Sequence, residues 1–415
     1  MANKHKKKRK QKLRQQQRKA HQEKQNQSKT IRHNTAVNQE KHRIDWQPLE
    51  PNEDGIVADR RIMPRDERDR REGLLEKSQT TFNELLTDAD WQAMANKTPF
   101  ELGKVIHVSR GLIGAEVNGR KLICDTRGIL TAEGTGYTNI TAVGDRILVE
   151  QTADDRGLMH QVLPRRSGLA RMDSFQTYLK QIIAANVDQI LIVSAWRDPQ
   201  IWFQMIDEYL IGASRNNLKV AICINKVDLA ESMEVVEATL RPYANLGYEV
   251  IFASAEQGMG IDTVRQRLQG KTTVLAGLSG VGKSSLLNAV QPGLQLRTGV
   301  VSELKSREGR HTTTQAMMVP LAMGGEVIDT PGIKDMGVSG MHPDELILFY
   351  PDLEACMVNC RFSDCTHAHE PGCAVREGVE NGRLAPWRLK NYVNLFERLD
   401  EEFFETNLRK KKVRR

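Results

Sequence analysis

Residues 277–285 read Gly277-Leu278-Ser279-Gly280-Val281-Gly282-Lys283-Ser284-Ser285. The apolar run Thr273-Val274-Leu275-Ala276 precedes them and Leu286-Leu287-Asn288-Ala289-Val290 follows, so a glycine-rich turn stands between a short buried strand and a helix. That context turns the pattern GxxxxGK[ST] from a string match into a phosphate site. Gly277 and Gly282 let the backbone curl closely round an anion, with N–H groups pointing inward at a helix N-terminus whose dipole adds to the attraction. Lys283 supplies a point charge for the β and γ phosphates, and the Ser284 hydroxyl a ligand for Mg²⁺. An ordinary strand-to-helix turn would explain the glycines but not the Lys283-Ser284 pair.

Upstream, apolar runs at Val187–Ala195, Leu218–Ile224 and Glu249–Ala253 alternate with helical patterns at Ile201–Ala213, Glu231–Leu246 and Ile261–Leu268. Such alternation predicts a doubly wound α/β domain with a mostly parallel sheet, over residues 166–340. Asn225-Lys226-Val227-Asp228 ends the second of these strands. An Asp carboxylate placed there accepts hydrogen bonds from guanine N1–H and N2–H₂; adenine has no such donor pair, and losing two buried bonds makes the wrong base costly. This is the NKxD motif of GTPases, and Ser254-Ala255 suits the companion loop whose backbone N–H meets the guanine carbonyl.

Downstream, Asp329-Thr330-Pro331-Gly332 follows the strand Glu326-Val327-Ile328. The Asp can hold Mg²⁺ through water and the Gly N–H can reach the γ-phosphate, as in the second switch of GTPases. Gly309-Arg310-His311-Thr312-Thr313-Thr314 stands in the place of the first switch, with Thr313 the favoured Mg²⁺ ligand; the polar run Thr298–Arg310 is expected to move without nucleotide. The usual order places the phosphate loop before both switches and both before NKxD, whereas here NKxD and Ser-Ala come first. The predicted domain is therefore a circularly permuted P-loop GTPase domain, whose second switch leads directly into a C-terminal module.

That module, residues 341–415, carries Cys360, Cys365, His367 and Cys373. Three thiols and an imidazole suit tetrahedral Zn²⁺ with no open position, hence one structural ion. His369 is a competing ligand, and disulfides are the alternative, disfavoured in a reducing cytosol. Cys124 and Cys223 lie in strand patterns and read as small buried hydrophobes, and Cys356 is left without a partner. Trp387–Phe404 is read as an amphipathic helix, making the module mainly helical, and Arg409–Arg415 as a short basic tail.

Before the α/β domain, residues 99–165 hold about five short alternating runs separated by glycine turns, which fits a small OB-type β-barrel. Arg110, Arg120, Lys121, Arg127, Arg146 and Arg156 are candidates to face RNA. Residues 46–98 read as a linker, with a charged helical stretch at Arg65–Lys77 and Asp88-Ala89-Asp90 capping a short helix at Trp91–Ala95. Residues 1–45 contain 15 Lys/Arg against three acidic residues, so against a total of +7 the tail carries +12 and the rest −5. With almost no apolar residues it is expected to be disordered, a solubility tail or a polycation that holds phosphate backbones by counterion release. No apolar segment follows these charges and no run of 18 apolar residues occurs, so a secretory signal and a membrane span are not expected and the expected setting is the cytoplasm.

Permuted motif order, the phrases Gly309–Thr314 and Cys360–His367, and Glu370-Pro371-Gly372-Cys373 together resemble the small ribosomal subunit biogenesis GTPase A family over about Phe100–Glu402. The resemblance implies a cytoplasmic, monomeric enzyme that hydrolyses GTP to GDP and phosphate. It further implies binding to the small ribosomal subunit and its rRNA late in assembly, checking of the decoding region, and release on hydrolysis. Ile333 follows Gly332 where many GTPases place the Gln that orients the attacking water, so unaided hydrolysis is expected to be slow. His311, ordered on the subunit, is the candidate to orient that water; its plainer role is packing or touching RNA. Competing readings are a nucleotide-gated RNA-binding protein in which hydrolysis is incidental, and a zinc-dependent nucleic-acid regulator.

Overall fold

The computed structural model describes residues 82–109, 112–126, 137–172, 179–294, 316–329 and 337–413, with side chains to 404. The expectations for residues 1–45, the helical stretch 65–77, Arg110, Arg127, the run 298–310, His311, Thr313, Gly332 and Ile333 concern residues outside these ranges. No helix among the described residues is long and apolar enough to cross a membrane.

Five short strands, β1 (Glu101–Ser109), β2 (Leu112–Val117), β3 (Arg120–Thr126), β4 (Arg146–Ala153) and β5 (Arg156–Val162), form the expected barrel. They pair in the order β1-β2-β3-β5-β4, and β4 closes on β1 with Leu102 opposite Leu148. Alternation turns Val105, Ala115, Leu122, Ile147 and Met159 inward. Asn118 and Gly119 join β2 to β3 with φ of 52° and 77°, the left-handed pair that a tight two-residue hairpin needs. Helix α1 (Asp88–Ala95) plugs one end: Trp91 is fully buried with Ala95 and Leu148, and its indole N–H donates to Pro164 O at 2.8 Å. Two sequence expectations change here. Thr87, not the Asp88–Asp90 triplet, is the N-cap, and Asp90 completes a capping box from the first turn. Arg146 does not face solvent; its guanidinium lies 5.1 Å over Trp91, because the plug covers that face of β4.

A hairpin that the strand–helix alternation did not reveal, β6 (Gly168–Met172) with β7 (Lys180–Ala185), comes next. The α/β domain follows with β8 (Gln189–Ala195), α2 (Phe203–Arg215), β9 (Lys219–Asn225), α3 (Met233–Asn245), β10 (Glu249–Phe252), α4 (Ile261–Leu268), β11 (Thr272–Ala276), α5 (Lys283–Val290), β12 (Met317–Pro320) and β13 (Glu326–Asp329). Its strands stand in the order β10-β9-β8-β11-β13-β12, all parallel except β12. Both faces are covered, which is why the strands read as continuous apolar runs. Ile190 and Ile192 pack under α2 and α3, while Leu191 and Val193 pack under α4 and α5.

The chain steps outward from β8 to β10, then returns to lay β11 on the free side of β8. Ligands of open α/β sheets bind where strand order reverses in this way, at the carboxyl ends. One further link was not foreseen: β12 pairs with β1 of the barrel at Met317 and His107, and Lys104 forms an ion pair with Glu326, so eleven strands make one sheet.

The C-terminal module comprises a 3₁₀ segment (Pro343–Phe349), α6 (Pro351–Met357), α7 (Ala374–Glu380) and α8 (Pro386–Val413) around Leu346, Tyr350, Leu353 and Leu395. It docks on α2 through a buried charge. Asp207 accepts from Arg388 at 2.6 Å, Asn391 at 2.7 Å, Tyr243 at 2.9 Å and Tyr350 at 3.1 Å. Arg388 also grips Asp352 with two bonds, of 2.9 and 2.7 Å, and lies 4.4 Å over Tyr350. Burial alone would lower the Arg388 guanidinium, but Asp207 and Asp352 outweigh it and hold it above its usual value.

Candidate functional site

The three motifs that the sequence separates meet at the carboxyl edge of the sheet. Register places Ala195 opposite Asn225, Ala276 opposite Ile192, and Leu275 opposite Asp329, so β11 and β13 end near one level while β8 and β9 run on past them to Ala195 and Asn225. Gly277 leaves β11 with φ of 145°, and a Cβ there would stand 2.1 Å from Val193 O. The phosphate loop can therefore lie against β8 only with glycine at that position. Gly282, at φ 91°, caps α5, and Leu286 N–H donates to its carbonyl at 2.8 Å.

Asn225, 1% exposed, is the junction. Its Nδ2 donates to Val281 O at 3.0 Å and its Oδ1 accepts from Ala255 N–H at 3.2 Å. One amide thus ties the NKxD strand to the phosphate loop and to the Ser254-Ala255 loop. A Cβ on Gly282 would lie 2.3 Å from Asn225 Nδ2, which shows how closely the two motifs approach. Lys226 takes a left-handed φ of 61° and opens the 3₁₀ turn Val227–Leu229, in which Val227 is buried and Asp228 half-buried. Ser254, fully buried, accepts from Gln257 N–H at 3.1 Å, which shapes the turn after β10.

Lys283 folds back over the loop and donates to Gly277 O and Leu278 O, both at 2.8 Å. Those carbonyls hold the ammonium where a phosphate oxygen could compete for it. Leu278 is half-buried, Ser279, Gly280, Ser284 and Ser285 are exposed, and Val281 is packed in the core beneath the loop. Asp329 closes β13 beside Leu275, level with the start of the loop. The exposed Ser284 hydroxyl and the half-buried Asp329 carboxylate are a donor set that suits Mg²⁺.

In the C-terminal module the ligand atoms of Cys360, Cys365, His367 and Cys373 lie within 4.8 Å of one another. Cys360 and Cys373 sulfurs are 3.9 Å apart, and His367 Nδ1 is 3.6 and 3.5 Å from them. A tetrahedral ion with bonds of about 2.3 Å to sulfur and about 2.0 Å to nitrogen sets edges of about 3.8 and 3.5 Å, so the cluster could hold a zinc-sized ion. The sulfurs stand too far apart for a disulfide, whose S–S bond is about 2.05 Å. His367 is buried at φ 67° and belongs to the cluster, whereas His369 is exposed. Hydrogen bonds from the Cys365 and Cys373 thiols pull the Cys360 thiol below its usual value. Burial pushes Cys124 up to about 11 and Cys223 up to about 12, as befits inert core thiols. Glu370 was not singled out as a support from the sequence. Partial burial raises it, but bonds from the Thr366 hydroxyl and N–H and the His369 N–H pull its carboxyl to about 2, and they brace the turn between ligands.

Residues 162–339 match the family model described as RsgA GTPase. A Gemmatimonas aurantiaca protein named small ribosomal subunit biogenesis GTPase RsgA is 40% identical over 283 residues, 68% of this chain and 91% of its own length. A Thermotoga neapolitana protein of the same name is 37% identical over 295 residues, 71% and 94% of the two chains. Among solved structures the chain resembles YjeQ from Thermotoga maritima, with a TM-score of 0.55 and 34% identity over 72% of this chain and 98% of that one. It also resembles YloQ, described as a circularly permuted GTPase, with a TM-score of 0.52 and 28% identity over 73% and 96%.

Proposed function

The chain belongs to the RsgA GTPase family, and from that premise we propose that it binds the small ribosomal subunit late in its maturation, hydrolyses GTP there and leaves on hydrolysis. It acts as a monomer in the cytoplasm and checks the decoding region. The names of its relatives support the subunit as partner, and they favour an enzyme over a nucleotide-gated RNA-binding protein. The observation that carries the nucleotide reading is the Asn225 amide, which joins base-reading and phosphate-gripping motifs that the chain visits in inverted order.

The working division is a barrel at 99–165, the GTPase domain at 166–340 and the zinc module at 341–415. In the pocket Asp228 reads the guanine edge and the loop at Ser254-Ala255 borders the base. The stretch Gly277–Ser285 wraps the phosphates, with Lys283 neutralising the β and γ groups. Ser284 and Asp329 would hold Mg²⁺, which bridges phosphate oxygens and offsets their charge. Gly332 N–H would meet the γ-phosphate, Thr313 would join the Mg²⁺ ligands, and His311 would orient the attacking water once the subunit orders its loop. Cys360, Cys365, His367 and Cys373 would hold one structural Zn²⁺ that orders residues 360–373 of the docking module. Exposed Arg120, Lys121 and Arg156 on the barrel suit contact with rRNA.

The test is single-turnover GTP hydrolysis with and without purified small subunits. Slow hydrolysis alone and an increase of at least about tenfold on subunits is the expected result, of the kind seen when a partner completes a GTPase site. Equal rates in the two conditions would overturn the proposal.

A further inference from the structure

The turn Trp196–Ile201, between β8 and α2, belongs to none of the motifs above, yet it stands at the pocket's rim. Lys226 Nζ donates to the main-chain oxygen of Asp198. On its way the Lys226 stem crosses the phosphate loop, its Cε lying 3.8 Å from where a Cβ on Gly282 would stand. Pro199 Cδ flanks Gly280 at the same spacing, 3.8 Å from a Cβ built there. The turn is fixed at both ends: Trp196 N–H donates to Asn225 O at 2.9 Å, and Ile201 N–H closes it on Trp196 O at 3.3 Å. Arg197 reaches Glu231 at 4.0 Å, tying the turn to the segment that follows the 3₁₀ turn.

We propose that Asp198 is a positioning residue for the guanine nucleotide: its main-chain oxygen, presented by a left-handed backbone, holds the Lys226 stem across the phosphate loop so that this stem closes one face of the base read by Asp228. The inference rests on the nucleotide reading given above. Asp198 has φ of 55°, a conformation that Asp, Asn and Gly adopt at little cost and β-branched residues resist. An unanchored lysine would sample many rotamers and would lose side-chain entropy on covering a base; anchored, it has already done so. The role belongs to the Asp198 backbone, so its carboxylate is dispensable.

The test is calorimetric titration of the full-length protein with GDP. Asp198→Val should weaken GDP binding about tenfold, the equivalent of one charge-assisted hydrogen bond, while Asp198→Asn and Asp198→Gly stay within about twofold. Lys226→Met, which keeps the stem and loses the ammonium, should weaken binding as much as Asp198→Val, and the double variant no further. Lys226→Met binding GDP as wild type does, or losses that multiply in the double variant, would overturn the inference whether or not Asp198→Val folds. Wild-type protein that binds ADP as tightly as GDP would instead remove the nucleotide reading itself, and the inference with it.

Discussion

Asn225 donates to Val281 and accepts from Ala255, so a single buried amide sets the distance between a base-reading strand and a phosphate loop. This residue was legible because its motif is local: four consecutive residues at the end of an apolar run. Asp207 and Arg388 were not, because the hub draws on residues up to 184 positions apart and neither stands in a recognisable pattern. A buried ion pair stabilises little by forming and costs much when broken. Asp207→Ala leaves Arg388 with Asp352 alone, strips Tyr350 and Asn391 of their acceptor and leaves Tyr243 only Phe203 O at 3.3 Å, so it should cost about 3 kcal/mol in chemical denaturation. Arg156→Ala, which removes an exposed pair with Asp125 at 3.8 Å, should cost less than about 1 kcal/mol. Equal losses in the two variants would contradict the hub as described.

Helices with eight or more periodic residues, and strands ending in a motif, were readable from hydrophobic spacing alone. The helix Ile261–Leu268 stands where the pattern placed it. β12 was missed because Met317-Met318-Val319-Pro320 is four residues long and ends in proline, too short for a period to show. The β6–β7 pair was missed because its partners lie across a stretch with no turn signal of its own. α8 extends nine residues past the expected end at Phe404, to Val413, because Lys and Arg are good helix formers even where they read as a tail. The module has two independent anchors, the cysteine cluster and the hub, and metal removal separates them. Chelation or Cys365→Ser should release amide-exchange protection over residues 360–373 while the first turns of α8 at Arg388 and Asn391 stay protected. Loss of protection across all of α8 would show that the metal, not the hub, holds the module.

At the scale of the molecule, circular permutation leaves the sheet unchanged and alters what each loop is connected to. The pocket survives because strand positions, not chain order, decide which carboxyl ends are neighbours. One consequence was invisible in the sequence: β12, just beyond the first-switch segment, pairs with the barrel at His107, and the segment leaving the second switch is held on α2 by Arg215, which donates to Gly337 O at 2.9 Å and Ser339 O at 3.1 Å. Barrel and C-terminal module are therefore each attached next to a segment whose sequence reads as a switch. All of this depends on the proposed pocket, in which Asp228 would read guanine and Lys283 would grip phosphate. The most direct measurement is calorimetric titration of the purified chain with GDP and with ADP: the account predicts GDP tighter by at least about 100-fold, the loss expected for two unmade buried hydrogen bonds, and equal affinities would contradict it.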